Sequence, residues 1–244
     1  MKKYKPVMSF DEDVAQDYDD LAIRGDETAT VAFLERLAQG GPALELAIGT
    51  GRIALPLSER GIRVDGIDFS SAMVAKLQAK PGADKIAITM GNFADVAVPN
   101  TYRLIYVVFN TLFNLLTQDE QVRCFKNVAA HLTDDGVFVV EGGVPAEWYG
   151  LRNNQYVDLE AIEVGKVRLD VAQYDPVKQL LEETHVVLAS TGVQLKPIVM
   201  RYAWPSELDL MARIAELQLK ERWGGWSREP FTGTSRNCVS VYGR

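Results

Sequence analysis

The chain has 244 residues, 47% of them hydrophobic, and a formal net charge of −7 at pH 7. This length and apolar content suffice for one large domain, with or without a subdomain. The acidic balance argues against a protein whose main task is to bind nucleic acid, because phosphate binding requires a basic surface. An apolar run of about 18 residues and a secretory leader are both lacking, so we expect a cytoplasmic protein without a membrane partner.

Two helices are predicted ahead of the first strand, over residues 10–23 and 26–39. The first is acidic and carries Tyr18, which either covers a bound ligand or only docks the helix on the core. The second has apolar residues at helical spacing and ends at the Gly-Gly-Pro stretch 40–42.

The central feature of the sequence is the stretch ALELAIGTGRIALPL, residues 43–57. Residues 43–47 have the apolar character of a strand buried on both faces, and Gly49 and Gly51 allow the backbone to turn sharply. Apolar residues at helical spacing resume over 52–60. The turn therefore leads into a helix N-terminus, whose free N–H groups suit a carboxylate or phosphate.

Two classes of nucleotide cofactor fit such a turn. GTGRIA satisfies the loose dinucleotide pattern G-x-G-x-x-G/A, with Asp68 at the end of the next predicted strand, 63–68. Glu45 favours another class, because an anion in the first strand gains nothing beside a pyrophosphate but stabilises a cationic ligand. Asp68 either accepts both ribose hydroxyls of a nucleoside or caps the next helix, 70–80.

Three further strands, over 85–90, 102–109 and 136–141, continue the alternation of strand and helix. The helix 117–131 is capped by Thr117, with Glu120 at the capping-box position. The carboxyl ends of parallel strands line the ligand crevice, so Asn92, Asn110 and Phe113 are predicted to face it. Asn110 either orients a substrate heteroatom or only fixes its turn.

The alternation of strand and helix stops after residue 145. Between 155 and 204, three or four runs of alternating apolar and polar residues predict an antiparallel sheet with one wet face. A helix over 205–217 and a closing hairpin over 218–226 and 235–242 follow. Cys124 and Cys238 lack metal-ligand spacing, so we expect free, buried thiols and no metal site.

ELAIGTG, together with GIDFS at 66–70, resembles the first two motifs of the class I methyltransferases that use S-adenosylmethionine. Ala47 stands where the family has its first glycine, a change that the turn should survive. The resemblance implies an α/β fold, with a Rossmann-like, doubly wound, seven-stranded, mainly parallel sheet, an antiparallel last strand and an inserted antiparallel β subdomain. The expected parts of this single domain are N-terminal helices (1–42), a cofactor-binding core (43–145), a β lid (150–204) and a closing segment (205–244).

The resemblance implies S-adenosyl-L-methionine as cofactor and S-adenosyl-L-homocysteine as product. Glu45 is expected to place the cofactor's amino acid portion, Asp68 to hold the ribose, and Asn92 with Phe93 to read the adenine, although the family usually has Asp in place of Asn92. Further expected contacts are Ala47, Gly49, Gly51, Arg52, Asn110, Phe69 and Met73, of which the last two either pack on the adenine or belong to the core.

In small-molecule methyltransferases of this class, inserted strands roof the active site, which implies a compact acceptor in an enclosed pocket. The residues expected to act in catalysis are Asn110, His185 in the insertion, and Tyr18, since the family's N-terminal helix often closes over the cofactor. Expected substrate contacts are Phe113, Trp148, Tyr149, Arg168, Arg201 and Trp204. The alternative is that these aromatics seal the insertion to the core and these arginines are solvated.

Two other functions fit parts of the sequence. A nicotinamide-dependent oxidoreductase would explain Tyr174 and Lys178, which match Tyr-x-x-x-Lys, but Pro176 disfavours the helix that this pair requires. A non-catalytic sensor or scaffold that binds S-adenosylmethionine is the other. Methyl transfer by in-line displacement to O, N or C needs no covalent protein intermediate, in keeping with a sequence that has no nucleophile–base motif.

Overall fold

The computed structural model describes residues 4, 9–21, 25–148 and 151–244, and these ranges contain six α-helices and eleven β-strands. The helices are α1 (Glu12–Leu21), α2 (Glu27–Ala38), α3 (Ala54–Glu59), α4 (Ser71–Gln78), α5 (Gln118–His131) and α6 (Pro205–Ile214). The strands are β1 (Ala43–Leu46), β2 (Val64–Asp68), β3 (Ala87–Met90), β4 (Tyr102–Val107), β5 (Leu132–Gly143), β6 (Gln155–Glu163), β7 (Lys166–Asp175), β8 (Leu180–Ala189), β9 (Gly192–Arg201), β10 (Gln218–Trp223) and β11 (Asn237–Gly243).

Seven of the strands form one sheet in the order β10-β11-β5-β4-β1-β2-β3. Strands β1 to β5 are parallel, whereas β11 runs antiparallel to both β5 and β10. The remaining four, β6 to β9, form a separate antiparallel sheet of three consecutive hairpins. The doubly wound fold, its antiparallel last strand and the inserted β subdomain are thereby confirmed.

Helices cover both faces of the seven-stranded sheet. Leu104 and Tyr106 of β4 belong to the apolar cluster formed with α2 and α3, while Ile105 and Val107 belong to the cluster formed with α5 and α6. Because successive strand residues point to opposite faces, both sets of β4 side chains are buried. The apolar run of β4 is continuous because helices cover both of its faces.

Helix caps follow the sequence closely. The Thr117 hydroxyl accepts the Glu120 N–H, and the Glu120 carboxylate accepts the Thr117 N–H, which completes the predicted capping box. Strand β5 differs from expectation, because it begins at Leu132 rather than Gly136. Its register against β4 jumps across residues 133–136, so the predicted turn is an irregularity inside the strand.

Both cysteines are free and buried, as expected. Burial raises the pKa of each thiol, which makes both poor nucleophiles. Within the ranges described, no helix is long and apolar enough to cross a membrane.

Candidate active site

The turn after β1 has the left-handed backbone that its glycines permit. Gly49 and Gly51 have φ of 56° and 77°, and Ala47 has φ of 55° although it carries a Cβ. A Cβ on Gly51 would lie 2.4 Å from Cδ1 of Leu77, so only glycine fits there. The turn brings its backbone N–H groups to the carboxyl end of β2, because the Gly49 N–H donates to Oδ2 of Asp68 at 2.7 Å.

Asp68 joins the glycine turn to the start of α4. Its other oxygen, Oδ1, accepts the Ser70 N–H at 2.8 Å, while the Ser70 hydroxyl caps the helix by accepting the Met73 N–H. The capping residue is therefore Ser70 rather than Asp68. Burial raises the pKa of Asp68, against the backbone hydrogen bonds from Ser70, Gly49 and Phe69, which lower it.

Glu45 places a carboxyl group inside β1, beneath the turn. The residue is 4% exposed and accepts a hydrogen bond from the Tyr106 hydroxyl at 3.0 Å. Burial raises the pKa of Glu45 to about 8. A cation bound nearby would stabilise the ionised form of this desolvated carboxyl.

Helix α1 lies across the glycine turn. Asp19 pairs with Lys80 at 2.6 Å and accepts the Thr50 hydroxyl, and Lys80 also donates to the Thr50 carbonyl. Tyr18 is half-buried. Burial raises its pKa to about 12, and the nearby Asp68 and Glu45 add to this rise. The N-terminal segment thus covers the carboxylates of β1 and β2.

The same segment also touches the second sheet. The Ser9 hydroxyl donates to the Pro197 carbonyl at 2.7 Å, and Asp17 of α1 lies 3.6 Å from the ammonium of Lys196. Residues 9–21 therefore bridge the glycine turn and the four-stranded sheet.

A cavity of about 300 Å³ lies between α1, the end of β4 and the inner face of the four-stranded sheet. Four residues that the sequence singles out reach it: Tyr18, Asn110, Arg168 and His185. The structure thus brings together one residue of the N-terminal helix, one strand end and two strands of the insertion. The sheet of β6 to β9 forms the roof of this cavity, and we call it the roof sheet.

The roof sheet presents an ionic cluster to the cavity. Nδ1 of His185 lies 2.6 Å from Oδ1 of Asp170, and its Nε2 lies 3.6 Å from Oε1 of Glu183. The hydrogen bond to Asp170 is the main reason why the pKa of His185 is raised above 6.5. Burial raises the pKa of Glu183, which also accepts the Tyr156 hydroxyl at 2.6 Å. This side of the cavity can stabilise a cation and take up a proton.

Asn110 fixes two strand ends. Its backbone is left-handed, with φ of 59°, and its side-chain oxygen accepts the Gly143 N–H at 2.6 Å, which joins the end of β4 to the end of β5. The residue also lines the cavity. The turn-fixing role is thus present in the fold, while a contact to a ligand stays a prediction.

Arg52 lies at the start of α3, beside the turn. Its guanidinium pairs with Glu27 at 2.9 Å and sits over the ring of Phe109, 4.8 Å from the centroid. Phe109 in turn lines the cavity. Arg52 therefore stands between the glycine turn and the cavity.

The side chains expected near the adenine are divided between core and surface. Met73 and Phe93 are buried, and Phe69 meets Phe10 edge-on with ring centroids 6.0 Å apart. Asn92 is exposed, and its oxygen accepts the Ala94 N–H, as in an ordinary turn. Met73 lies beside the turn, since a Cβ on Gly49 would be 3.4 Å from its Cε. Adenine recognition by Asn92 stays a prediction.

The expectation for Arg201 is wrong. Its guanidinium is buried outside the cavity, where it donates to Gln121, Gln179 and Glu207 and joins β9 to α5 and α6. The buried Phe113 packs against Gly142. Neither it nor Trp204, which precedes α6, is among the residues that line the cavity in the described ranges. Tyr149 and the side chain of Trp148 lie outside what the structure describes.

Sequence reasoning missed Glu160, Glu183 and Lys196, all of which line the cavity. Glu183 is two residues from His185 on β8 and so shares its face, a signal available from strand alternation. Glu160 and Lys196 lie on β6 and β9, and their placement depends on the register of three hairpins, which the sequence leaves open.

Comparisons with known proteins agree with this geometry. Residues 43–136 match a family model described as a methyltransferase domain. The structure of the CcbJ methyltransferase from Streptomyces caelestis is 36% identical, covers 98% of this chain and 99% of its own, and has a TM-score of 0.92.

Two further relatives differ more in sequence. The cypemycin N-terminal methyltransferase of a Streptomyces species is 28% identical over 86% of this chain and 85% of its own length. CalS10, described as an amino pentose methyltransferase from Micromonospora echinaspora and solved with S-adenosylmethionine bound, has the same fold, with a TM-score of 0.69 at 19% identity over 100% of this chain and 99% of its own. The chain belongs to the class I S-adenosylmethionine-dependent methyltransferases, enzymes that take their methyl group from that cofactor.

Proposed function

We propose that this methyltransferase methylates the nitrogen of an amine in a small-molecule acceptor held in the roofed cavity. The observation that carries the proposal is the cluster of Glu183, His185 and Asp170 on the inner face of the roof sheet. Carboxylates stabilise the ammonium form in which an amine arrives from water. A histidine paired with a carboxylate can then accept its proton.

The residues around the glycine turn fit the cofactor. Gly49 and Gly51 carry no side chain and so let the cofactor approach the backbone of the turn closely, while their own N–H groups donate to Asp68 and to the Ile48 carbonyl. Glu45 would face the cationic end of the same ligand, whose charge would stabilise the ionised form of a carboxyl that burial otherwise holds at a raised pKa. Asp68 would accept the ribose hydroxyls, which would share its two oxygens with the Gly49 and Ser70 N–H groups.

Bound S-adenosylmethionine supplies an electrophilic methyl group. Replacement of an N–H by an N–CH₃ releases one proton, and the chain needs a group to receive it. His185 is suited to this role because Asp170 raises its pKa and thereby its basicity. Glu183 and Glu160 orient the ammonium and, with the nearby Arg168, set the charge of the pocket.

Size and kinship support the same acceptor class. A cavity of about 300 Å³ lies at the lower end of the range for sites that bury small compounds. The relative named as an N-terminal methyltransferase acts, by that name, on a terminal amine. An amine is therefore the acceptor group that both the local cluster of Asp170, Glu183 and His185 and this relative favour.

The test is a transfer assay with labelled S-adenosylmethionine and paired acceptors that differ only in carrying an amine or a hydroxyl. Label is expected in the amine member of a pair, and mass fragmentation is expected to place the methyl group on nitrogen. Asp68→Ala serves as a control that should abolish transfer to every acceptor. Label found only on oxygen or carbon would contradict the proposal.

A further inference from the structure

The guanidinium of Arg168 is incompletely hydrogen-bonded. The residue lines the cavity, and its side chain is 22% exposed. Its Nε atom is buried, and no residue in the described part of the chain accepts a hydrogen bond from it. The carboxylate of Glu160 is near, but its Oε2 lies 3.8 Å from Nε, which is too far for a hydrogen bond. Because a buried donor without an acceptor is costly, a ligand that supplies the acceptor should bind favourably there.

The neighbouring cations of the cavity are engaged with the protein itself. Lys196 pairs with Asp17 at 3.6 Å and so connects β9 to α1. Nδ1 of His185 lies 2.6 Å from Asp170. Arg168 is therefore the cation of this site that is best placed to bind an anionic group of a ligand.

Arg168 and His185 lie on the same face of the roof sheet. Arg168 is directly opposite Val187, which follows His185 by two residues on β8, and all three line the cavity. The two rows are thus about 7 Å apart along the strand. The amine and the carboxylate of an α-amino acid, each with a hydrogen bond of about 2.9 Å, span on the order of 8 Å. One compact zwitterion therefore matches the spacing of the two rows.

We propose that the acceptor is an α-amino acid, whose carboxylate binds Arg168 while its amine lies between His185 and Glu183. This inference rests on the N-methylation proposed above and adds the group by which the acceptor is recognised. A carboxylate presents two oxygens that match the guanidinium fork, so Nε and one terminal nitrogen can donate to it together. The buried Nε then gains the acceptor that the described residues do not supply.

The rest of the cavity favours a ligand with one negative charge and an apolar side chain. Glu160 and Glu183 also line the cavity, so they would repel the two charges of a phosphate more strongly than the single charge of a carboxylate. Pro197, Ile198 and Met200 add an apolar wall from β9. Small apolar amino acids are therefore the expected acceptors.

The test compares amino acids with their methyl esters, which keep the amine but lack the anionic group. L-alanine, L-valine, L-leucine and L-proline are each supplied as acid and as ester with labelled S-adenosylmethionine. The native enzyme should methylate the acids on nitrogen. In Arg168→Gln, the ratio of kcat/KM for acid to that for ester should fall about tenfold, mainly through a raised KM for the acid. The intrinsic reactivity of each amine is the same with both enzymes, so the change in this ratio reports Arg168.

Two variants serve as controls. Arg168→Lys keeps the charge without the fork, so its ratio should lie between those of the native enzyme and Arg168→Gln. Arg213→Gln makes the same change at an exposed arginine of α6 and should leave the ratio unchanged. Circular dichroism checks that each variant is folded, and Arg168→Lys carries the test if Arg168→Gln is not.

Three results would overturn the proposal. The first is the absence of transfer to all four acids; N-methylation itself still stands if amines without an anionic group are methylated. The second is an unchanged ratio in folded Arg168→Gln, or in Arg168→Lys where the glutamine variant does not fold. The third is methyl found on oxygen or carbon of an acid, which contradicts N-methylation and this inference together.

Discussion

At the scale of single residues, the most informative position is Ala47. The family places glycine there, and the turn needs a left-handed backbone, which Ala47 adopts at φ of 55°. An L-residue with a Cβ is strained in this conformation by roughly 1–2 kcal/mol. The turn keeps its shape because Gly49 and Gly51 adopt the left-handed backbone without strain and the Gly49 N–H donates to Asp68.

Ala47→Gly should therefore raise the free energy of unfolding, by about 1 kcal/mol in urea titrations. The matched control is Ala75→Gly, the same change in the exposed middle of α4. There glycine should lower the free energy of unfolding by about 1 kcal/mol. A change of the same sign in the free energy of unfolding of both variants would show that the turn does not strain Ala47.

Glu45 is a residue whose chemistry opposes stability. Its pKa of about 8 lies above its ordinary value of 4.5, so folding favours the protonated form. The stabilisation that protonated Glu45 gives to the fold is complete below pH 4.5 and is lost as the pH rises toward 8. Glu45→Gln should raise the free energy of unfolding of the ligand-free protein at pH 8 by roughly 1–2 kcal/mol, because it removes a desolvated charge.

The same variant should bind S-adenosylmethionine about tenfold more weakly, a loss of roughly 1.4 kcal/mol, since the cation loses its counter-charge. Calorimetry at pH 8 measures both the affinity and the protons released on binding. Tyr106→Phe keeps the carboxyl and should weaken binding less. Unchanged affinity in Glu45→Gln would remove this residue from the cofactor site.

Asp170→Asn should lower the pKa of His185 toward 6.5, because it removes the group that raises it. If neutral His185 accepts the proton, activity is lost as pH falls through its pKa, so the variant should stay active to a lower pH than the native enzyme. Resonances of the two histidines in an NMR titration check the shift, with His131 on α5 as the internal reference. A native-like titration of His185 would exclude Asp170 as the positioning residue.

At the scale of elements, helix α1 is held on the glycine turn by the Asp19–Lys80 pair. Exposed ion pairs contribute up to about 1 kcal/mol, so Lys80→Met should raise the KM for S-adenosylmethionine by roughly two- to fivefold and speed hydrogen exchange in α1. Arg60→Met is the matched control, since it breaks the pair with Glu35, which is similarly exposed and joins α3 to α2. Equal effects of the two variants would contradict a role for α1 over the cofactor.

The elements themselves were predictable wherever local chemistry decides them. The strand at 43–46, the capping box at Thr117 and the serine cap at Ser70 follow from patterns within a few residues. The roof cavity was predictable only as a location, because Glu160, Glu183 and Lys196 meet through the register of β6 to β9. The prediction for Arg201 failed for the same reason, because the alternating pattern of β9 does not show that α5 and α6 cover this side chain.

At the scale of the whole molecule, Arg201 joins the roof sheet to helices α5 and α6. Its guanidinium and Glu207 are 7% and 14% exposed and lie 2.7 Å apart. Arg201→Gln would leave Glu207 without its cation, so the free energy of unfolding should fall by roughly 3 kcal/mol at pH 7.

The pH dependence of that loss distinguishes charge from packing. Burial raises the pKa of Glu207, but Arg201, Gln179 and Gln118 outweigh it and hold the pKa below 4.5. The stabilisation is therefore present above pH 4.5 and disappears as the carboxyl protonates at lower pH. A difference between native and Arg201→Gln that persists at pH 3 would assign the effect to packing alone.

The bridge that residues 9–21 form between the glycine turn and Pro197 bears on the order of events in turnover. Because this one segment contacts both the glycine turn and the roof sheet, we expect an acceptor seated under the roof sheet to block the exit of the donor. We expect donor to load before acceptor and the demethylated donor to depart last. Product-inhibition kinetics should then follow the pattern of a compulsory-order mechanism.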